Sequence, residues 1–136
     1  MPQAKERFPH MYGAEAEIWR RWLARHRGGF DRFQYDTHVG RLWPEHENLD
    51  REWKVGAASV YQKRIDVVGF QTGVITIFEV KPHAGLGAIG QILGYVSLYE
   101  EQFNPSEEMR AAIVAELVDP NIRKLLEQFG IDLYVI

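Results

Sequence analysis

Apolar residues recur at helical spacing through residues 12–27, YGAEAEIWRRWLARHR, where Ile18, Trp19, Trp22 and Leu23 form one stripe. The pattern predicts an amphipathic helix, stopped by Gly28-Gly29. FDRFQYDTHVG, residues 30–40, then partly alternates, with Phe33, Tyr35, Thr37 and Val39 on one side, and reads as a strand. Residues 41–54 are polar, hold a proline and two tryptophans, and read as a loop or short irregular insertion. Residues 58–70 and 74–81 read as two further strands. The second, VITIFEVK, is rich in β-branched residues and bounded by Gly73 and Pro82. The short link Gln71-Thr72-Gly73 predicts an antiparallel hairpin.

The helical period returns in residues 88–103, with Ile89, Ile92, Leu93, Val96 and Tyr99 apolar and Asn104-Pro105 as the stop. RAAIVAELV, residues 110–118, suits a helix by its alanines and a buried strand by its length and bounds. The strand is favoured. Asp119-Pro120 then reads as cap and first turn of a helix running to Phe129. Gly130 closes it, and IDLYVI is a last strand. Strand, helix and strand in that order predict a parallel crossover unit. The whole order is helix, three strands, helix, strand, helix, strand. It predicts one α/β domain over residues 1–136, with a mixed sheet that begins antiparallel, ends parallel and is flanked by helices.

Composition narrows the chemistry. A chain of 136 residues buries a real core without staples. It has no cysteine, which excludes disulfides, thiolate zinc sites and cysteine nucleophiles. No apolar run approaches the roughly 20 residues of a membrane span, and the start MPQAKERFPH has no apolar signal core. The expectation is a soluble, cytoplasmic (intracellular) protein. Net charge is −3, but unevenly spread. Residues 1–64 carry 12 Lys/Arg against 9 Asp/Glu; residues 65–136 carry 4 against 10. A basic half beside an acidic half can hold phosphate near clustered carboxylates, and an ordinary solvated surface has the same composition.

The stretch FEVKPHAGLGAIGQILGY, residues 78–95, admits two chemistries. Gly85, Gly87 and Gly90 match the spacing of a dinucleotide-binding fingerprint between a strand and a helix. Three details oppose that reading. Pro82-His83-Ala84 separates the strand from the glycines. The strand ends Glu-Val-Lys, placing a carboxylate where phosphates would arrive. Only 46 residues follow Gly90, too few for a full dinucleotide fold. A structural use of the glycines is expected instead: Gly87, Gly90 and Gly94 make a small face that lets the helix lie close on the sheet.

The other chemistry is a metal site. Side chains on a strand alternate, so Glu79 and Lys81 share a face, with Ile75 and Ile77 behind them. If the hairpin pairs as expected, Asp66 on the neighbouring strand approaches Glu79. Two carboxylates buried together demand a compensating cation, and Mg²⁺ needs few protein ligands. A Glu-x-Lys triplet by itself is common on exposed strands. The apolar frame and the upstream Asp66 are what favour a site here.

Arg64-Ile65-Asp66, Glu79-Val80-Lys81 and Gln91-x-x-x-Tyr95 resemble the PD-(D/E)XK, or restriction-endonuclease-like, nuclease family. The motif match covers about residues 64–95, and the element order extends it over most of the chain. Ile65 stands where that family frequently has proline. The resemblance implies a helix, three strands, helix and strand core, with metal-dependent phosphodiester hydrolysis, DNA being the expected substrate. Asp66 and Glu79 would bind Mg²⁺ (or Mn²⁺) with the Val80 carbonyl. Lys81 would position or activate water and stabilise charge on the phosphate, and Gln91 would orient Lys81 or a phosphate. The family often adds a glutamate from the first helix. Glu15 lies on the face of Trp19, Trp22 and His26, while Glu17 points about 160° away, so Glu15 is the expected contributor. Arg64, His83 and Tyr95 are the expected substrate contacts, although Tyr95 is equally suited to packing and His83 to an inert loop position.

Other features carry less. Trp43 and Trp53 flank Arg41, Arg51 and Lys54, a set that suits stacking on bases or capping a core. His46 and Glu47 lack a second histidine at zinc spacing. Arg20, Arg21, Arg25 and Arg27 could track a nucleic-acid backbone or simply face solvent. Ser59, Ser97 and Ser106 have no histidine and acid in register for a serine hydrolase. A homodimer is compatible with duplex cleavage, but no interface is legible. The competing functional reading is a non-catalytic DNA-binding or assembly protein on the same fold, with a dinucleotide-binding module third.

Overall fold

The computed structural model of the chain describes residues 7–11, 13–40 and 63–136. The polar segment 41–54 with its tryptophans, His46 and Glu47, the first part of the expected strand 58–70 and Ser59 lie outside the described residues. The elements are α1 (Ala14–His26), a 3₁₀ turn (Arg27–Gly29), β1 (Arg32–Val39), β2 (Lys63–Gln71), β3 (Val74–Ala84), α2 (Leu86–Phe103), β4 (Glu108–Val118), a 3₁₀ turn (Pro120–Ile122), α3 (Arg123–Gln128) and β5 (Ile131–Val135). They form a mixed α/β fold around one five-stranded sheet of order β1-β2-β3-β4-β5. Strands β1, β2 and β3 pair antiparallel, and β3, β4 and β5 pair parallel. The expected antiparallel start and parallel end are both present.

Two apolar layers cover the sheet. On one face, α1 buries Ala16, Ile18, Trp19, Trp22 and Leu23 against Val67, Phe78, Val80, Ala112 and Val114. The Trp19 and Trp22 rings stack 4.7 Å apart, and both meet Phe78 edge-on. On the other face, α2 packs Ala88, Ile89, Ile92 and Tyr99 over Ile65, Val68, Ile75, Ile77 and Ile113, with Ile122 and Leu126 beside them. Interior strand β4 is apolar on both faces from Ala111 to Ala115, as a parallel strand between two layers must be. That burial settles RAAIVAELV as strand over its alanine-based helix propensity. The hairpin turn is Thr72-Gly73, with Gly73 at φ 75°, where a side chain would be strained.

Three expectations need correction. First, Phe33, Tyr35, Thr37 and Val39 do not share one environment. Asp36 takes a left-handed φ of 53°. Before it, Phe33 and Tyr35 pack on the tryptophan layer; beyond it, Val39 packs on the α2 layer. The β1–β2 ribbon is therefore kinked at Asp36, and its far end is tied to α2 by Gln102, which contacts Gly40 N and His38 O. Second, Pro82-His83-Ala84 is not loop, because β3 continues to Ala84 against β4. Third, Gly87, Gly90 and Gly94 do not press α2 onto the sheet. A Cβ added at any of the three meets nothing within 4 Å. The packing face of α2 is Ala88, Ile89, Ile92 and Tyr99, and the glycines face outward.

The glycine that close packing does require is Gly69. A Cβ there would lie 2.8 Å from the Phe78 ring and 2.9 Å from the Phe30 ring. Gly69→Ala is expected to lower stability by about 1–3 kcal/mol through this overpacking. Gly90→Ala and Gly94→Ala should each raise it by up to about 1 kcal/mol, by removing unfolded-chain entropy at no steric cost. Urea denaturation of the three variants measures both signs. A loss of stability at Gly90 or Gly94 would restore the close-packing role that the coordinates deny them.

Candidate active site

The site is made by the place where β2 and β3 part. Their antiparallel ladder runs from Gln71↔Val74 to Val67↔Phe78 and stops. The next residues in register are Asp66 and Glu79. Beyond them β2 stays with β1, while β3 stays with β4. Asp66 bridges the opening, and its Oδ2 accepts a hydrogen bond from the Val80 N–H at 3.1 Å. Glu79 is only 4% exposed. Its Oε1 lies 3.4 Å from Lys81 Nζ, and its Oε2 is buried with no hydrogen-bond partner among the described residues. The fold thus gathers Asp66, Glu79 and Lys81 at the splayed end of an apolar strand pair.

Burial sets the electrostatics. It pushes the Glu79 carboxyl up to about 8 from the usual 4.5, and the Asp66 charge pushes the same way against the opposing pull of Lys81. Burial also raises Asp66, to about 6, despite the Val80 N–H that favours its anion; Glu15 and Asp36 add repulsion. Two mutually repelling carboxylates, with one oxygen unpartnered and one ammonium acting on them among the described residues, are a donor set that fits a hard divalent cation. Among the described residues, no three His, Asp or Glu side chains have the spacing of a preformed metal site. Glu15 is half-buried and acts on both carboxylates through its charge, without completing a three-carboxylate cage. Glu17 instead pairs with Arg20 at 3.2 Å on the exposed side of α1.

The remaining candidates spread around this pair. Tyr95 is half-buried, and burial together with the Glu79 and Asp66 charges pushes its hydroxyl up to about 12. Gln91 is exposed and makes no hydrogen bond to Lys81 among the described residues. It lines an open groove with Lys63, Gly90, Gly94, Tyr95 and Leu98. His83 is exposed on β3, two and four residues beyond Lys81 and Glu79 and on their side of the strand. Val80 is buried in the tryptophan layer, and its N–H is the group that meets Asp66. Arg64 lies against His10 rather than against the carboxylate pair. Arg20, Arg25 and Arg27 border a shallow depression on α1, while Arg21 pairs with Glu116. Sequence reading missed Asp36, which stands opposite Asp66 in the β1–β2 register. An aspartate inside an alternating strand is the signal that could have drawn attention to it.

No protein-family model matches the chain. Endonuclease NucS of Methanopyrus kandleri is 36% identical over 69 residues, which are 49% of this chain and 26% of that protein. Two solved structures share the fold across 98% of the chain. One is a repair endonuclease from Pyrococcus abyssi, with TM-score 0.55 and 21% identity, and the other is EndoMS in complex with double-stranded DNA, with TM-score 0.52 and 15% identity. The chain spans about a quarter of the NucS relative's length and about half of each solved chain.

The raised pKa values have a fixed consequence. Both carboxyl groups hold their protons more tightly folded than unfolded. Their protonated forms therefore stabilise the fold below about pH 4, and that contribution is lost as the pH rises through about 6 for Asp66 and about 8 for Glu79. The metal-free protein should melt progressively lower between those limits. Glu79→Gln should flatten the upper half of the profile and raise the melting temperature near pH 8 by about 3–6 °C. If Mg²⁺ binds at this pair, it should stabilise the wild type more near pH 8 than near pH 5, and Glu79→Gln little at either. Thermal melts across this range measure all three; identical profiles for wild type and Glu79→Gln would contradict the burial described.

Proposed function

We propose that this chain is a metal-dependent nuclease that hydrolyses phosphodiester bonds in DNA at the Asp66, Glu79 and Lys81 centre, in the manner of the PD-(D/E)XK family it resembles. One observation carries the reading: a buried glutamate, a partly buried aspartate that it repels and a lysine sit where the β2–β3 ladder opens. The similarity to an endonuclease over half the chain, and the shared fold with a protein solved on double-stranded DNA, support it.

Asp66 and Glu79 would hold Mg²⁺ or Mn²⁺, with the Val80 carbonyl as a third oxygen donor. When bound, such an ion polarises a phosphoryl oxygen and lowers the pKa of water. The protein's own groups do the rest. The Val80 N–H fixes the Asp66 carboxylate in one orientation. Lys81, anchored by Glu79, presents its ammonium where negative charge builds on the phosphate and where water must be placed. Tyr95, held protonated, offers a hydroxyl at the wall of the site. Gln91, on the adjoining groove, is positioned to donate to a phosphate.

The test is incubation with plasmid, linear and mismatched or branched DNA, with Mg²⁺, Mn²⁺ or EDTA. Metal-dependent cleavage is expected, falling by about 100-fold or more in Lys81→Ala and Glu79→Ala proteins. Cleavage undiminished in Lys81→Ala would reject this centre. Binding without cleavage, indifferent to EDTA, would instead mark a DNA-binding protein on a nuclease fold.

A further inference from the structure

A second polar cluster adjoins the carboxylate pair. It joins the N-terminal arm, β1 and β2 through His10, Asp36, His38 and Arg64. Asp36 and Asp66 stand opposite each other at the unpaired step of the β1–β2 ladder, and His38 and Arg64 are directly paired two steps further along. Beyond the kink, His38 and Arg64 share one face of the ribbon, and the Asp36 carboxylate reaches both. The opposite face carries Thr37, Val39 and Ile65, which are buried.

The contacts within the cluster centre on Asp36 and His10. His10 Nε2 lies 3.0 Å from Asp36 Oδ2, and Arg64 Nη1 lies 2.8 Å from His10 Nδ1. The same Arg64 Nη1 lies 3.1 Å from His10 Nε2, so the guanidinium meets the ring edge that carries both nitrogens. Arg64 Nε stands 3.9 Å from Asp36 Oδ1, an oxygen that is buried with no hydrogen-bond partner among the described residues. His38 Nε2 lies 3.5 Å from Asp36 Oδ2. The guanidinium is thus braced from two sides by Asp36 and His10.

Backbone strain falls in the same place. Three non-glycine residues among those described have positive φ, and two of them are His10 at 58° and Asp36 at 53°. Such conformations are unfavourable for residues with a side chain and persist where surroundings enforce them. Here they bring a histidine from the arm and an aspartate from the kink onto one arginine. The cluster also opens outward: the His10 side chain is 51% exposed, and that of Arg64 27%.

We propose that Asp36 and His10 are positioning residues that hold the Arg64 guanidinium, with His38 beside it, as a second phosphate-binding site for the nucleic-acid backbone next to the carboxylate pair. The inference rests on the nuclease reading and names the group that receives a phosphate neighbouring the one cleaved. Arginine suits this task, because its planar fork can meet two phosphate oxygens at once if its orientation is fixed in advance.

The experiment is duplex DNA binding to the full chain in Ca²⁺, across a range of salt concentrations, with melting temperatures recorded in parallel. Arg64→Ala should bind about three- to tenfold more weakly at moderate salt, and the slope of log affinity against log salt should shrink by about one. Arg64→Lys should restore the slope but only part of the affinity, since it keeps the charge and loses the fork. Asp36→Ala is the sharper probe. Removing a negative charge beside DNA should by itself strengthen binding; a positioning role predicts that binding weakens instead, and His10→Ala should follow it. Wild-type affinity and slope in Arg64→Ala overturn the phosphate site. Unchanged or tighter binding in Asp36→Ala overturns the positioning role, and a lower melting temperature with an unchanged slope reduces the cluster to a tether for the arm. If the wild type neither binds nor cleaves any DNA, the nuclease reading itself fails. If it does both and only the Arg64 slope is unchanged, this inference alone fails.

Discussion

The molecule depends on one interrupted hydrogen-bond ladder. Strands β2 and β3 pair cleanly up to Val67↔Phe78, then each follows its other neighbour. A sheet that splits in this way leaves buried backbone donors without ladder partners, and an unmet buried N–H costs about 1–3 kcal/mol. Asp66 supplies the missing acceptor to Val80. The carboxylate is therefore part of the sheet before it is part of any site. Its anion is also costly where it lies, because burial and the charges of Glu15 and Asp36 all raise its pKa. The same split that fixes the carboxylates in place concentrates charge there.

The two apolar layers explain why the split can hold. Trp19, Trp22 and Phe78 build a rigid wall on one face, in contact with Val67 and Val80, the residues on either side of the opening. On the other face Ile65, Val68 and Ile77 are gripped by α2. Val67 and Val68 thus point into different layers, as do Ile77 and Phe78. A strand anchored on both faces right up to its last paired residue cannot slide to cover the gap. Glu15 enters at the N-terminal turn of α1, where the helix dipole favours an anion and offsets part of its repulsion from the carboxylates.

What was legible in the sequence follows from which signals are local. VITIFEVK declares itself by β-branched composition, and its hairpin by Thr72-Gly73, so the Asp66 and Glu79 register could be read before any coordinates. The stripe of Trp19 and Trp22 declares α1 and separates Glu15 from Glu17. The glycines of α2 misled, because spacing shows that a face is small but not which way it points. Only the placement of Ile89, Ile92 and Tyr99 on the sheet settles that. The kink at Asp36 was likewise invisible. Alternation in FQYDTHV continues through it, and the one local hint is the aspartate itself, a residue type that tolerates left-handed φ. The contact of His10 with Arg64 spans 54 positions, beyond the reach of periodicity altogether.

Charge poses the remaining problem for the proposed activity, and its distribution points to an answer. A polyanionic substrate approaching Asp66 and Glu79 meets two carboxylates, with Glu15 and Asp36 close behind, in a protein of net charge −3. Lys81 offsets one of these charges and Arg64 another. The balance stays negative at neutral pH unless the buried pair remains partly protonated or a divalent ion enters. If the proposed divalent ion is held there, it would supply the positive charge that the fold itself does not. Affinity for the wider backbone must then come from cations set away from the pair. Lys63 on the groove, Arg64 on the ribbon, and Arg20, Arg25 and Arg27 along α1 all belong to the basic first half of the chain. In the fold, the uneven charge along the sequence sets an acidic pair on β2 and β3 apart from basic residues on α1 and the β1–β2 ribbon.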